Sequence, residues 1–551
     1  MTTCGVFSAV AVALTVLLAT APIRADAVQE ELRRRVEASV TGMPIEAGDD
    51  LIHSIVTIRD FYERRSFEPA WIADGKPSRT ARDLLEALKG AEAEGLRSGD
   101  YHLGPITSGL EQSRRSRRIP AAVDLEFLMT DAFLLYASHC LAGRLNPETI
   151  DPEWHARRRE ADLAGVLQDA LSRRRIGESL AALLPPQQGY ARLRTALSRY
   201  RSFASAGGWA HVPEGPTLRR GDTDTRVARL RDRLHVTGDL AEAGQEDPVF
   251  DDEVDAAVRR FQARHGLEVD GLVGAATLAA LNVPAQARVR QIIVNLERWR
   301  WLPQDLGQRH VLVNVADFHL EAVDAGAVVQ DMRVVVGRDY RRTPVFSDMI
   351  TYLVFNPSWD VPLKIAVNDL LPQFKQAPDY ANRMGFKILQ GQGAEQREID
   401  PRSVDWNRLR PGDFPYRLRQ APGPKNALGA VKFMFPNKFN VYLHDTPARE
   451  LFARSERAFS SGCIRVEHAV DLAHWLLEGQ DGWDPAGIAE ALASRREQTV
   501  RLARPTPVHL LYWTAWVDES RAVRFRRDVY DRDRRIADAL AEPAPDSGDG
   551  P

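Results

Sequence analysis

A histidine is followed by a cysteine set behind a short run of small residues, in a chain that holds only three cysteines. "VYLHDTP" carries His444, and "RAFSSGCIRVEH" carries Cys463, 19 residues further on. A thiol attacks as its thiolate, so a nucleophilic Cys463 needs a base or cation beside it, and an imidazole meets that need. The imidazole in turn needs an acceptor that fixes its tautomer. Ser460, Ser461 and Gly462 permit a tight turn whose amides point at one spot beside the sulfur, as an oxyanion hole requires. The same small residues keep the thiol reachable.

Other uses of Cys463 fit less well. A packing cysteine sits in an apolar run, and "SSGC" is the opposite. A disulfide to Cys140 would bring a helical region against the loop and extinguish the nucleophile. Cys140 lies in "LEFLMTDAFLLYASHCLAGRL", whose apolar residues recur at helical spacing, so it reads as helix packing. No metal is expected: the His444–Cys463 spacing does not suit a zinc pair on one helix, and His468 and His474 fall on different faces of the next one. No cofactor is implied.

These side chains need a strand to end at His444 and a loop to deliver Cys463 into a helix that starts near Glu467. From His310 the pattern alternates with period two, in "HVLVNVADFHLEAV", "VVQDMRVVVG", "TYLVFNPSW", "AVKFMFPN" and "NVYLHD", which read as strands. "VHLLYWTAWVDESRAVRFRRDVY" adds a hairpin around Glu519 and Ser520. The unit spans 290–535, and residues 360–420 interrupt two strands of one sheet with helical pieces and a polar loop. An insertion of that size beside a site reads as a substrate-capping lid.

Upstream, 28–210 is helical, and Trp71, His139 and Trp154 read there as core or docking residues. Residues 213–283 form a compact three-helix unit with Asp251 as an N-cap and Gly266 as a stop. Residues 1–27 hold the uncharged apolar run Val6 to Ile23 and a small-x-small site, an export signal whose retention would leave a membrane tether. Residues 541–551 read as a disordered tail. The length demands several cores, and a formal net charge of −3 gives no electrostatic case for nucleic acid. The expected class is multidomain α+β: helical scaffold, three-helix module, and mostly β domain with an inserted α-rich lid.

With those residues in hand, "HDTP…FARSERAFSSGCIRV" resembles the active-site motif of YkuD-type L,D-transpeptidases. The 213–283 unit resembles the peptidoglycan-binding module, through "LRRGDTDTRVARLRDRL" and "AVRRFQARHGLEVDGLVGAATLAAL". From Leu32 to Leu540 the order of parts is similar to the large YcbB-type members, supported by "FYERRSFEPAW", "GLRSGDYHL", "PGPKNALGAVKFMFPNKFNVYLHDTP" and "VHLLYWTAWVD". The resemblance implies an exported, monomeric enzyme whose partners are peptidoglycan stem peptides and glycan. Cys463 would attack the L-centre carbonyl of diaminopimelate in a tetrapeptide stem and expel D-alanine. The thioester would then pass to a second diaminopimelate amine, making a 3→3 cross-link, with His444 as base and then acid. The Asp445 carbonyl would orient the imidazole, and the amides of Ser461, Gly462 and Cys463 would hold the oxyanion. Asn356, Trp359, Tyr442, Ser460 and Arg465 are expected along the substrate cleft, Arg465 pinning the loop more than touching substrate. The family's thiol chemistry also implies that carbapenem-type β-lactams acylate Cys463. The same thioester would serve an L,D-carboxypeptidase or a lipoprotein-anchoring transferase, and a non-catalytic wall-binding scaffold is the alternative without chemistry.

Overall fold

The computed structural model describes residues 25–39, 45–73, 76–113, 118–155, 158–242, 247–391 and 393–542. The expected export signal, apart from residues 25–27 at the start of the helix Ala25–Ser39, and most of the expected C-terminal tail lie outside the described residues. No helix among the described residues is long and apolar enough to cross a membrane.

Helices dominate up to Ser205, because apolar residues recur at helical spacing and bury into one core that runs from Val28 to Leu183. The helix Ile119–Ala142 passes through the middle of it and buries Cys140 as a free thiol. Two carboxylates on this helix are buried without an arginine. Glu126 accepts the amides of Ala70, Trp71 and Ile72, and Asp131 those of His53 and Ser54. Backbone donors thus replace the water these groups lose.

The three-helix unit has its own core, around Leu230, Phe250, Val258 and Phe261. Its helices are Arg226–Val236, Asp252–His265 and Ala275–Leu281. Asp251 caps the second by accepting the Val254 amide at 2.9 Å, and Gly266 ends it at φ +65°. Between this unit and the sheet, the helices Gln188–Ser205 and Ala285–Arg300 pack on each other.

The rest is built on one large sheet. Its strands are β1 (Trp154–His155), β2 (Arg309–Asn314), β3 (His319–Asp324), β4 (Ala327–Gly337) and β5 (Val345–Phe355). The insertion carries β6 (Trp359–Asp360), β7 (Phe386–Gln390), β8 (Arg397–Ile399) and β9 (Tyr416–Gln420). Then come β10 (Val431–Met434), β11 (Leu443–His444), β12 (Ala458–Ser460), β13 (Ile464–Val466) and β14 (Gln498–Leu511). The hairpin β15 (Ala515–Val517) and β16 (Val523–Phe525) follows where "VDESRAV" places it. The order β10-β11-β13-β4-β3-β2-β14-β5 returns on itself, since β10 also pairs with β5. Closure of this kind leaves few open edges. The helical region contributes β1, which runs parallel to β5 with Trp154 opposite Val345.

The insertion opens after β5 and returns in β10, two strands that pair with each other. It has the expected helices and also a four-stranded antiparallel sheet, β6-β9-β7-β8, over a small core of Phe374, Ile388, Trp406 and Leu418. These strands are short and sit among polar loop residues, so period two barely registers in the sequence.

Candidate active site

Three adjacent strands set the site. β11 and β13 run parallel with Leu443 opposite Ile464 and His444 opposite Arg465, and β10 places Lys432 opposite His444. Successive strand residues face opposite ways, so Phe433, Leu443 and Ile464 enter the core while Lys432, His444 and Arg465 form a row on the other face. Tyr442 and Cys463 stand two residues earlier on that same face, joined by the Ile464 amide to the Tyr442 carbonyl at 3.1 Å.

His444 is buried, with Nδ1 2.5 Å from the Asp445 carbonyl. A carbonyl only accepts, so Nδ1 carries the proton and Nε2 keeps its lone pair. Burial, then the charge of Arg465, push the imidazole down to about 3. It is therefore neutral at physiological pH. The half-buried Cys463 thiol donates to the Asn440 carbonyl across 3.8 Å. Burial pushes this thiol up, opposed by the backbone N–H and phenol of Tyr442 and by the charges of Lys432 and Arg465. Among the described residues no hydrogen bond joins Cys463 to His444.

The loop before the thiol is held from inside. Ser460 donates its hydroxyl to the Cys463 carbonyl at 2.5 Å and accepts the Gly462 amide at 3.1 Å. Gly462 sits at φ +115°, a conformation that a side chain would strain. Its amide, expected to face an oxyanion, is thus engaged by the turn itself. The amides of Ser461 and Cys463 carry no bond among the described residues. The Ser461 hydroxyl accepts from Arg341 at 2.8 Å, and Arg341 also pairs with Asp369 of the insertion. Asp445 turns its carboxylate to the Ala430 amide at 2.8 Å. Gly429 has to be glycine there, because a Cβ would lie 2.3 Å from that carboxylate.

Three residues expected along the cleft have other partners. The Asn356 amide donates to the carbonyls of Ala491 and Arg496, which makes it a pin between the end of β5 and the helix Pro485–Ala493 with the turn that follows it. Trp359 pairs opposite Gln420 and packs against the insertion's core near Phe386. Ser460 is buried, with its hydroxyl used by the loop. Arg465 differs in another way: it forms no ion pair with the loop, and its Nε is buried without a partner. Only Tyr442 of the five stands against the thiol.

Lys432 and Arg341 did not stand out in the sequence. A lysine between buried Val431 and Phe433 in "AVKFMF" signals an outward face, yet only the register with His444 brings it to the site. Its ammonium lies 3.9 Å from the centre of the Tyr442 ring.

Among the described residues one group has metal-ligand geometry, His53, His102 and Asp131 in the helical region. Its carboxylate is already used: Asp131 accepts two amides and lies 2.9 Å from His102 Nε2. The group therefore reads as the anchor of the helix Ile55–Arg64.

Three domain families match the chain in order. Residues 56–197 match the "Scaffold domain", 223–281 the "Putative peptidoglycan binding domain", and 308–487 the YkuD "L,D-transpeptidase catalytic domain". A Haemophilus influenzae protein named "Putative L,D-transpeptidase" is 38% identical over 247 residues, 45% of this chain and 49% of that protein. The "N-acetylmuramoyl-L-alanine amidase CwlM" of Mycobacterium tuberculosis is 40% identical over 77 residues, 12% of this chain and 19% of that protein. The chain thus spans half or less of the curated relatives it matches. A solved L,D-transpeptidase of Xylanimonas cellulosilytica is 17% identical, with 54% of this chain and 98% of that one covered at a TM-score of 0.18. That of Stackebrandtia nassauensis is 13% identical, with 55% of this chain and 97% of that one covered at a TM-score of 0.21. The chain carries a YkuD-type L,D-transpeptidase catalytic domain and, ahead of it, a peptidoglycan-binding domain.

Proposed function

We propose that the chain is an exported, monomeric L,D-transpeptidase that joins peptidoglycan stems through a thioester on Cys463. The observation that carries this reading is the shared face of Cys463 and a neutral His444, within a segment matching the transpeptidase catalytic domain. With Nδ1 held on the Asp445 carbonyl, Nε2 is the free base. The thiol turns from the Asn440 carbonyl toward Nε2 and gives up its proton. The sulfur adds to the L-centre carbonyl of diaminopimelate, and the free amides of Ser461 and Cys463 receive the oxyanion. Collapse breaks the amide bond, with the proton on Nε2 passing to the departing D-alanine amine. The side-chain amine of a second stem then adds to the thioester, loses a proton to Nε2, and releases the thiol. The peptidoglycan-binding unit would hold the chain on the wall while this happens.

Hydrolysis or transfer to a lipoprotein amine would use the same first half-reaction, so products decide. We would incubate the protein with disaccharide-tetrapeptide and follow products by mass spectrometry, beside Cys463→Ala and His444→Ala. A dimer short of one D-alanine, absent in both variants, supports cross-linking. Tripeptide without dimer supports an L,D-carboxypeptidase. No D-alanine release from an intact wild-type protein overturns the reading in favour of a wall-binding scaffold.

A further inference from the structure

Most buried arginines find oxygen partners, which are neutral at Arg233, Arg288 and Arg457 and carboxylates at others, while Arg159 is left without one among the described residues. Arg298 meets Asp533, Arg300 meets Glu297, and Arg532 meets Glu153, each with its guanidinium out of water. Lys432 and Arg465 are both half-buried, and neither forms an ion pair or a hydrogen bond among the described residues. Burial is the leading cause that pushes both cations below their ordinary values. A half-buried, unpaired cation has lost part of its hydration without compensation, and two in one row suit a ligand that supplies the anion.

Position says which anion. Lys432 and Arg465 are the cross-strand neighbours of His444, one on each side. Directly opposed residues on a sheet lie about 5 Å apart, so both cations border whatever sits on the imidazole. In the reaction proposed above, that is the departing amine. The carboxylate of the leaving D-alanine is attached through a single carbon to that amine. It therefore falls within reach of the cation on either side.

We propose that Lys432 and Arg465 form a clamp for the C-terminal carboxylate of the leaving D-alanine, so that the site accepts donors that end one residue beyond the scissile bond. The inference rests on the thioester reading and adds the residues that recognise the donor's end. A charge-assisted contact of this kind is worth roughly a 10- to 100-fold preference.

The test compares two tetrapeptide stems, one with a free C-terminal carboxylate and one with a C-terminal amide. Cys463 acylation is timed by intact mass on wild type, Lys432→Gln and Arg465→Gln. Wild type should acylate faster with the carboxylate donor by roughly 10-fold or more, and each variant should lose most of that preference. The ratio is the readout because a change in thiol reactivity alone slows both donors equally. Variants that slow both donors and keep the wild-type ratio overturn the clamp, as does a wild type indifferent to the donor's end. Wild type acylated by neither donor overturns the thioester reading itself, and the clamp falls with it. Two variants on different strands guard against one that fails to fold.

Discussion

At the scale of single residues, the site is a neutral thiol beside a neutral imidazole. Burial raises the first and depresses the second to about 3, so the two forms that would make a thiolate–imidazolium pair are both disfavoured. A pre-formed pair would give alkylation with a plateau reaching down into mildly acidic pH. The geometry predicts the opposite. Iodoacetamide labelling of Cys463, followed by peptide mapping, should accelerate with pH up to and past 9, the thiol's ordinary value. Lys432→Gln removes a charge that favours the thiolate and should slow labelling at every pH below that limit. A rate flat between pH 5 and 7 would show that the imidazole and thiol exchange their proton at rest.

Among the elements, one contact links the insertion to the loop that carries the thiol. Arg341, between β4 and β5, reaches both Asp369 of the insertion and the Ser461 hydroxyl. Removing its charge leaves a half-buried carboxylate unpaired, a loss of about 1–3 kcal/mol. Arg341→Gln should expose the insertion to limited proteolysis and slow Cys463 acylation by about 10-fold or more, with the sheet's circular dichroism unchanged. Equal proteolysis in both proteins would separate the insertion from the loop. Gly462→Ala tests the loop alone: φ +115° strains any side chain by roughly 1–3 kcal/mol, so acylation should fall without loosening the insertion. The sequence made much of this visible. Period two marked the strands, the Asp251 cap and Gly266 marked the binding unit, and the small residues marked the loop. Register between strands leaves no local signature, so Lys432 stayed hidden although its strand was legible. Side-chain capture was hidden for the same reason: Asn356 and Trp359 come just after a strand of the site's sheet, but their partners come from Ala491, Arg496, Gln420 and Phe386.

Across the whole molecule, the helical region and the sheet are joined by β1. Trp154 is fully buried in the sheet's core against Trp301, and Arg532 bridges to Asp151 and Glu153 beside it. Trp154→Ala should cost about 3–5 kcal/mol and lower the thermal midpoint of both parts together. The same shared burial predicts acid sensitivity. His139 in the helical region and His444 in the sheet are each pushed down to about 3, and His509 in the sheet to about 4, in every case chiefly by burial. Unfolding returns each to near 6.5, so below that pH the unfolded chain binds more protons than the folded one. Stability is then flat above pH 6.5 and falls as pH drops toward the folded values, by about 1.4 kcal/mol per histidine per pH unit. Glu321 works against this: burial pushes it up to about 7, so the folded chain binds the extra proton and gains stability between pH 7 and its ordinary value of 4.5. Three groups outweigh one, and the thermal midpoint should fall between pH 7 and 5. His139→Gln should make that fall shallower, and Glu321→Gln should make it steeper. A midpoint unchanged from pH 7 to 5 would mean that these imidazoles reach water in the folded chain.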